Sequence, residues 1–492
     1  MDQSHHKPRR TAMWILIILG SLLLLAVIGF IYSVFFEVGS IKKPVSSTPG
    51  WDEAKYRSPK NPYRHYEAAM RLLPQYDADI LSRYYQQTTT GTPPDGQQPV
   101  SQREVEISLA NVAPAIDEVM AGAKCSVNDF QFVQKPASFK TLFPEFSNLR
   151  SLARAVLVDA NYKMEQRKPR EAVEEYLALV HMGDGTSRAG GLLIGSLVGY
   201  AIKAMAYNAF HKVIGKQGLG AEEYHKIAKR LEKAEAERLT LREVMEGEYL
   251  YTRGALLEIL QMGPKELEQM GFDIGGGPKV TFAYLSIPGM KMRTVGNFDQ
   301  AWSTILEYAE MPYPTAVTLN TSQLLPSLDP ISQQLIGDPK GLFRKNAEVL
   351  TLNRGIMLMA ALEAFRLEKG QYPNALKDLV TGGYISKVPV DPFTDNKPFK
   401  YSKQGSKYLL YSIGPDLSDE GGRAVFPFPY YKIDAANRGD IVFSPGLNIL
   451  QKPQTITPPA PQAGPVGRGG PGTRGSAPRG GRMGGGGRRG GR

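Results

Sequence analysis

Oxygen-bearing side chains crowd one loop near the end of the chain. Asp416, Ser418, Asp419 and Glu420 fall within five positions, and Asp440 sits just before the apolar run Ile441-Val442-Phe443. Three or four carboxylates in one tight loop repel one another unless a cation lies among them. The same residues also favour turns for local reasons, because Asp and Gly accept the backbone conformations a turn needs. A metal site and a solvated turn therefore both fit this loop. About seventeen residues, 423–439, separate its two acidic parts, and they include "FPFPYY". The D-x-D-x-D-G spacing of an EF-hand is absent.

Other chemistry is sparse. The chain has six histidines, and His5, His6, His65, His181, His211 and His225 form no H-E-x-x-H pair. G-x-S-x-G, Walker A and G-x-G-x-x-G are also missing. "GDGTSRAGG" at 183–191 lacks the lysine of a phosphate loop and reads as a turn between helices. Cys125 is the one cysteine, so an internal disulfide or a cysteine-based metal site is impossible. Glu174-Glu175 and Glu235/Glu237 read as solvated helix faces. The expectation is a protein that is not an enzyme.

The elements around the acidic loop are legible. Val349, Leu352, Ile356, Met359, Leu362 and Phe365 recur in steps of three and four, one face of a helix. Gly370 suits a left-handed helix end, and Pro373 confirms the stop. Val388-Pro389 and Asp391-Pro392 are extended or turn dipeptides. Residues 397–403 and 407–413 predict two strands joined at Gln404-Gly405-Ser406, the second apolar on both faces.

This order of elements resembles the globular end of the major pseudopilin of bacterial type II secretion. The shared motifs are the helix ending in "G-x-YP", the short "L-x-x-L" helix, "Y-I-x-x-V-P-x-DP", the strand "KYLLYSIG" and the loop "PDLSDEGG". They cover roughly residues 345–443, about a fifth of the chain. The resemblance implies a packing module, not a catalyst. It also implies calcium bound by Asp416, Ser418, Asp419, Glu420 and Asp440, a hard cation held by loop oxygens. The glycine and glutamate that open a processed pilin helix are missing, and about 300 residues precede the module. The chain is therefore not expected to be a fibre subunit.

Residues 51–262 read as mostly helical. Residues 146–166 and 169–182 predict an antiparallel pair; the second starts with Pro169, a good first-turn residue. It resembles the second helix of a tetratricopeptide hairpin, without a strict 34-residue period. Tetratricopeptide-like packing and a plain bundle both remain open. Gly191, Gly195 and Gly199 lie four apart and predict a tight helix crossing. Residues 263–339 are punctuated by Pro and Gly and read as a connector with short helices.

The ends differ from the body. Residues 12–36 carry no charge except at their flanks, where Lys7, Arg9 and Arg10 precede them. That length predicts a membrane span with a cytoplasmic N-terminus. Residues 453–492 hold 14 Gly, 7 Pro and 7 Arg and no acid, which predicts disorder. The seven arginines are most of the net +11, leaving +4 for the rest. Arg-Gly-Gly triplets start at Arg468, Arg479 and Arg489. They suit anionic lipid or wall polymer, or nucleic acid through phosphate contacts and stacking; a passive solubilising tail fits equally.

The expected fold class is therefore α+β and multidomain. It comprises a cytoplasmic start (1–11), a transmembrane helix (12–36), a mainly α-helical domain (37–262), an irregular connector (263–344), a small pseudopilin-like α+β domain (345–446) and a disordered tail (447–492). The expected role is a single-pass, inner-membrane envelope protein with a periplasmic, non-catalytic interaction region. Its partners would be the membrane and envelope or secretion-machinery proteins. The alternative is a nucleic-acid-binding protein acting through the tail.

Overall fold

Helix starts follow their capping chemistry. The computed structural model describes residues 7–35 and 51–444, except 94–95, 137, 139, 190–191, 217, 273, 275, 321–328 and 425–438; in the first helix it describes the side chains of 18–32. The expected disordered tail lies outside these residues. After α1 (Lys7–Phe35) come α2 (Pro62–Leu72), α3 (Gln75–Thr90) and α4 (Gln102–Gly122). Asn61 caps α2, accepting from Tyr63 N–H at 3.0 Å, and Ser101 with Glu104 forms a capping box on α4. The expected antiparallel pair is α5 (Pro144–Glu165) and α6 (Pro169–Ser187). Then follow α7 (Leu193–Val213), α8 (Ala221–Glu237) and α9 (Leu241–Ile259), the last opened by a Thr240–Glu243 capping box.

The glycines of α6 and α7 set the closest crossing. A Cβ on Gly199 would overlap Ser187 Oγ and the Gly183 carbonyl, and one on Gly195 would lie 2.8 Å from the Ala189 carbonyl. The tight crossing expected from the glycine spacing is present at these two positions. The expected turn at 183–191 is not where the sequence reading put it, because α6 stays helical to Ser187. Its glycines make room rather than a bend: a Cβ on Gly183 would meet Lys203, and one on Gly185 would sit 2.7 Å from the Phe130 ring.

Residues 263–339 contain a twenty-residue helix, α10 (Met290–Ala309), besides several short ones. Val295, Phe298, Trp302 and Ile305 are its buried stripe, packed near α9. Next, α11 (Lys340–Lys369) ends at Gly370, whose φ of 76° permits the left-handed cap and whose N–H donates to Arg366 O at 2.8 Å. The sheet is β1 (Lys400–Gln404), β2 (Lys407–Ser412) and β3 (Ile441–Val442), antiparallel in the order β1-β2-β3. β1 starts later than expected because Pro398 lacks an N–H and only bridges Val390. The described body residues belong to one compact unit.

The structure corrects the expected fold class. Among the described residues the fold is mostly helical with one small sheet, and no helix is long and apolar enough to cross a membrane. This finding overturns the transmembrane helix at 12–36, the signal anchor and the inner-membrane localisation with its periplasmic bulk. Instead α1 rests at Gly29 against Pro288, where a Cβ would lie 3.1 Å from the proline Cγ.

Two glycines test the packing. Gly199→Ala should cost about 1–3 kcal/mol through overpacking at the α6–α7 crossing. Gly296→Ala, in the open on α10 with nothing within 4 Å of its Cβ, should stabilise by roughly 0.5–1 kcal/mol. Urea denaturation midpoints measure both.

Candidate functional site

The acidic loop is wired by backbone amides. Asp440 accepts from three of them: Glu420 N–H at 3.4 Å, Gly422 N–H at 2.7 Å and Arg423 N–H at 3.1 Å. Asp416 accepts from Ser418 N–H at 3.2 Å and Gly439 N–H at 3.3 Å. The loop and the residue before β3 are thus neighbours, as the sequence suggested, and Ala424 bridges Asp440. Asp419 points elsewhere. It pairs with Lys400 at 3.1 Å and accepts from Tyr411 at 3.0 Å and Gly421 N–H at 3.0 Å.

The residues that the resemblance assigned to calcium are split between different partners. The Lys400 ammonium already stands against Asp419, and the Asp416 and Asp440 carboxylates are turned onto amides. Among the described residues no group of three or more His, Cys, Asp or Glu side chains could hold a metal ion. The carboxylate repulsion is met another way. Burial, opposed by the amides and reinforced by Glu420 and Asp419, pushes the Asp440 carboxyl up to about 6.

A nearby carboxylate, not singled out in the sequence, pins the fold of this end. Asp391 is buried and accepts from Phe393 N–H at 3.0 Å, Ser412 Oγ at 2.7 Å and Ile413 N–H at 3.1 Å. The Asp-Pro dipeptide was the signal available for it.

The helical body contains a second polar cluster. Tyr66 OH and His181 Nδ1 are 2.8 Å apart, and His181 Nε2 is 3.0 Å from the Cys125 carbonyl. This places the proton on Nε2 and leaves Nδ1 to accept from Tyr66. Burial pushes the imidazole down, so it stays neutral. One turn on, Asp184 pairs with Lys203 at 2.7 Å, both almost fully buried. The other histidines on helices are also committed: His65 to Glu118 at 2.9 Å, and His225 to Glu368 at 2.9 Å while stacked on Tyr384. Among the described residues each histidine, His211 included, is bonded to a neighbour within the fold, and these contacts assemble no nucleophile and base.

Two glutamates read as solvated are not. Glu175 is buried and bonded to Lys163, and burial with Asp159 beside it raises its carboxyl. Glu235 receives Arg354 through Nε at 3.0 Å and Nη2 at 2.7 Å. No family model matches the chain, nor does any curated protein or solved structure.

Two pH effects of opposite sign are expected. The folded-state value of Asp440 lies above its ordinary one, so its protonation favours the fold: the wild type should gain melting temperature relative to Asp440→Asn as pH falls through about 6. His211, beside Val442 O at 3.3 Å, is pushed down to about 4 by burial. Its contribution is present above the ordinary value near 6.5 and lost between there and 4, so His211→Gln should flatten the acid limb. Melting curves from pH 7 to 4 read both, and a wild type and mutants that run parallel would refute them.

Proposed function

We propose that this chain is a non-catalytic interaction and structural protein, in which a helical array carries a pseudopilin-like module as a fixed end-piece for partners of a secretion assembly. The observation that carries the reading is the position of α11. It lies between α8 and α7 on one side and the small sheet on the other. Residues from Ile356 to Ala364 are all buried. Asn353 accepts from Tyr207 OH at 3.0 Å and donates to the Leu231 carbonyl at 3.2 Å. Gly355 is pressed by the Phe443 ring, where a Cβ would overlap it. The long helix of the module is covered from within the chain. This favours reuse of the module as a presenting platform. The locked histidines and amide-filled carboxylates favour a non-catalytic role.

A second reading is nucleic-acid binding through residues 453–492. The overturned membrane span removes the topological objection to it, and the seven arginines without an acid are the specific feature in its favour.

One experiment weighs both. Photo-reactive residues at Lys387 and Lys407, exposed on the module, should give position-specific protein adducts in native cells. Absence of adducts at both positions, with crosslinked RNA that vanishes on deleting residues 453–492, would replace the first reading by the second. Calcium is checked in the same preparation. The amide-filled carboxylates predict no rise in melting temperature with millimolar calcium, and a rise that Asp416→Ala abolishes would restore the metal site.

A further inference from the structure

A cavity of about 350 Å³ opens between the end of α4, α6 and α8. Its size falls within the range of small-ligand sites. One wall is apolar, made by Met120, Leu177 and Val180. The rest is charged, and the acids there are committed. Glu174 is bonded to Lys226, Asp184 to Lys203 at 2.7 Å, and Glu237 faces Lys233 at 3.7 Å. The side chains of Arg230 and Lys124 also line it, and neither makes an ion pair or hydrogen bond among the described residues. Arg230 is half-buried, so its charge is not simply dissolved in water. Unspent positive charge therefore faces a partly apolar chamber. Burial lowers the proton affinity of His181 most, Asp184 raises it, and Arg230 and Lys233 lower it further.

We infer that this cavity binds a small oxyanion carried on an apolar body. Its carboxylate or phosphate would lie on Arg230 and Lys124, and its body on Met120, Leu177 and Val180. The guanidinium presents a planar fork of donors that matches either anion, and the ammonium adds a point charge. His181 contributes shape rather than charge, because both its ring nitrogens are already bonded. This site does not depend on the pseudopilin-like module, and its failure leaves the proposed function untouched.

The chain supplies its own reporter. Cys125, its one cysteine, lines the same cavity. The rate of Cys125 alkylation by iodoacetamide is measured on the full chain at pH 8 and constant ionic strength, with phenyl phosphate or phenylacetate added. At least one of them should slow alkylation saturably, by fivefold or more (on the order of 1 kcal/mol of binding-linked protection), and raise the melting temperature. Inorganic phosphate should do so only at higher concentration, because it leaves the apolar wall empty. The more effective phenyl compound identifies phosphate or carboxylate as the preferred group. Arg230→Gln should abolish the saturable protection, while Arg242→Gln, outside the cavity, should keep it. Absence of saturable protection and of a melting shift with both compounds would overturn the site, as would equal protection in Arg230→Gln.

Discussion

One helix serves two bodies, and most of the architecture follows from that. A helix that packs on one side keeps an apolar stripe and exposes the rest. α11 packs on both sides, so nine consecutive residues, Ile356 to Ala364, are withdrawn from water. Small residues at Gly355, Ala360, Ala361 and Ala364 let neighbouring elements approach. Two buried polar members are matched, where an unmatched buried group would cost roughly 1–3 kcal/mol, while the Thr351 hydroxyl has no hydrogen-bond partner among the described residues. Asn353 is tied to Tyr207 and Leu231, and Glu363 receives Tyr372 OH at 2.6 Å. Arg354 closes the seam by reaching both Glu235 on α8 and the Val390 carbonyl beside the sheet.

Much of this was readable in the chain itself, and the failures have physical causes. Periodicity located α11, and the Pro169 start and the glycine spacing located α6 and the α6–α7 crossing. The glycines at 183 and 185 misled, because glycine serves a turn and a close approach equally well, and only the partner across the gap decides. The α10 stripe from Val295 to Ile305 was present but overshadowed by the proline and glycine on either side. For the candidate site, the sequence brought Asp416 and Asp440 together correctly. It could not tell that backbone amides would bond to both carboxylates, since amides leave no signature in residue types. Glu175 and Glu235 were misread for a similar reason: a charged residue on a helix looks solvated until its partner on another helix is known.

The corrected reading of the N-terminus changes the weight of the tail. Among the described residues no helix is long and apolar enough to cross a membrane. The charge segregation then becomes the main physical fact about that end. The body is only mildly basic, so any long-range attraction for a polyanion would come from the last forty residues.

The shared helix also bears on how the chain comes off the ribosome. α7 and α8 are complete by residue 237, yet the helix that covers them starts at residue 340. At about 5–20 residues per second, synthesis leaves their apolar flanks uncovered for on the order of ten seconds. During that interval the nascent polypeptide carries a sticky surface with no native cover. Chaperone demand should therefore peak in the middle of translation rather than at its end.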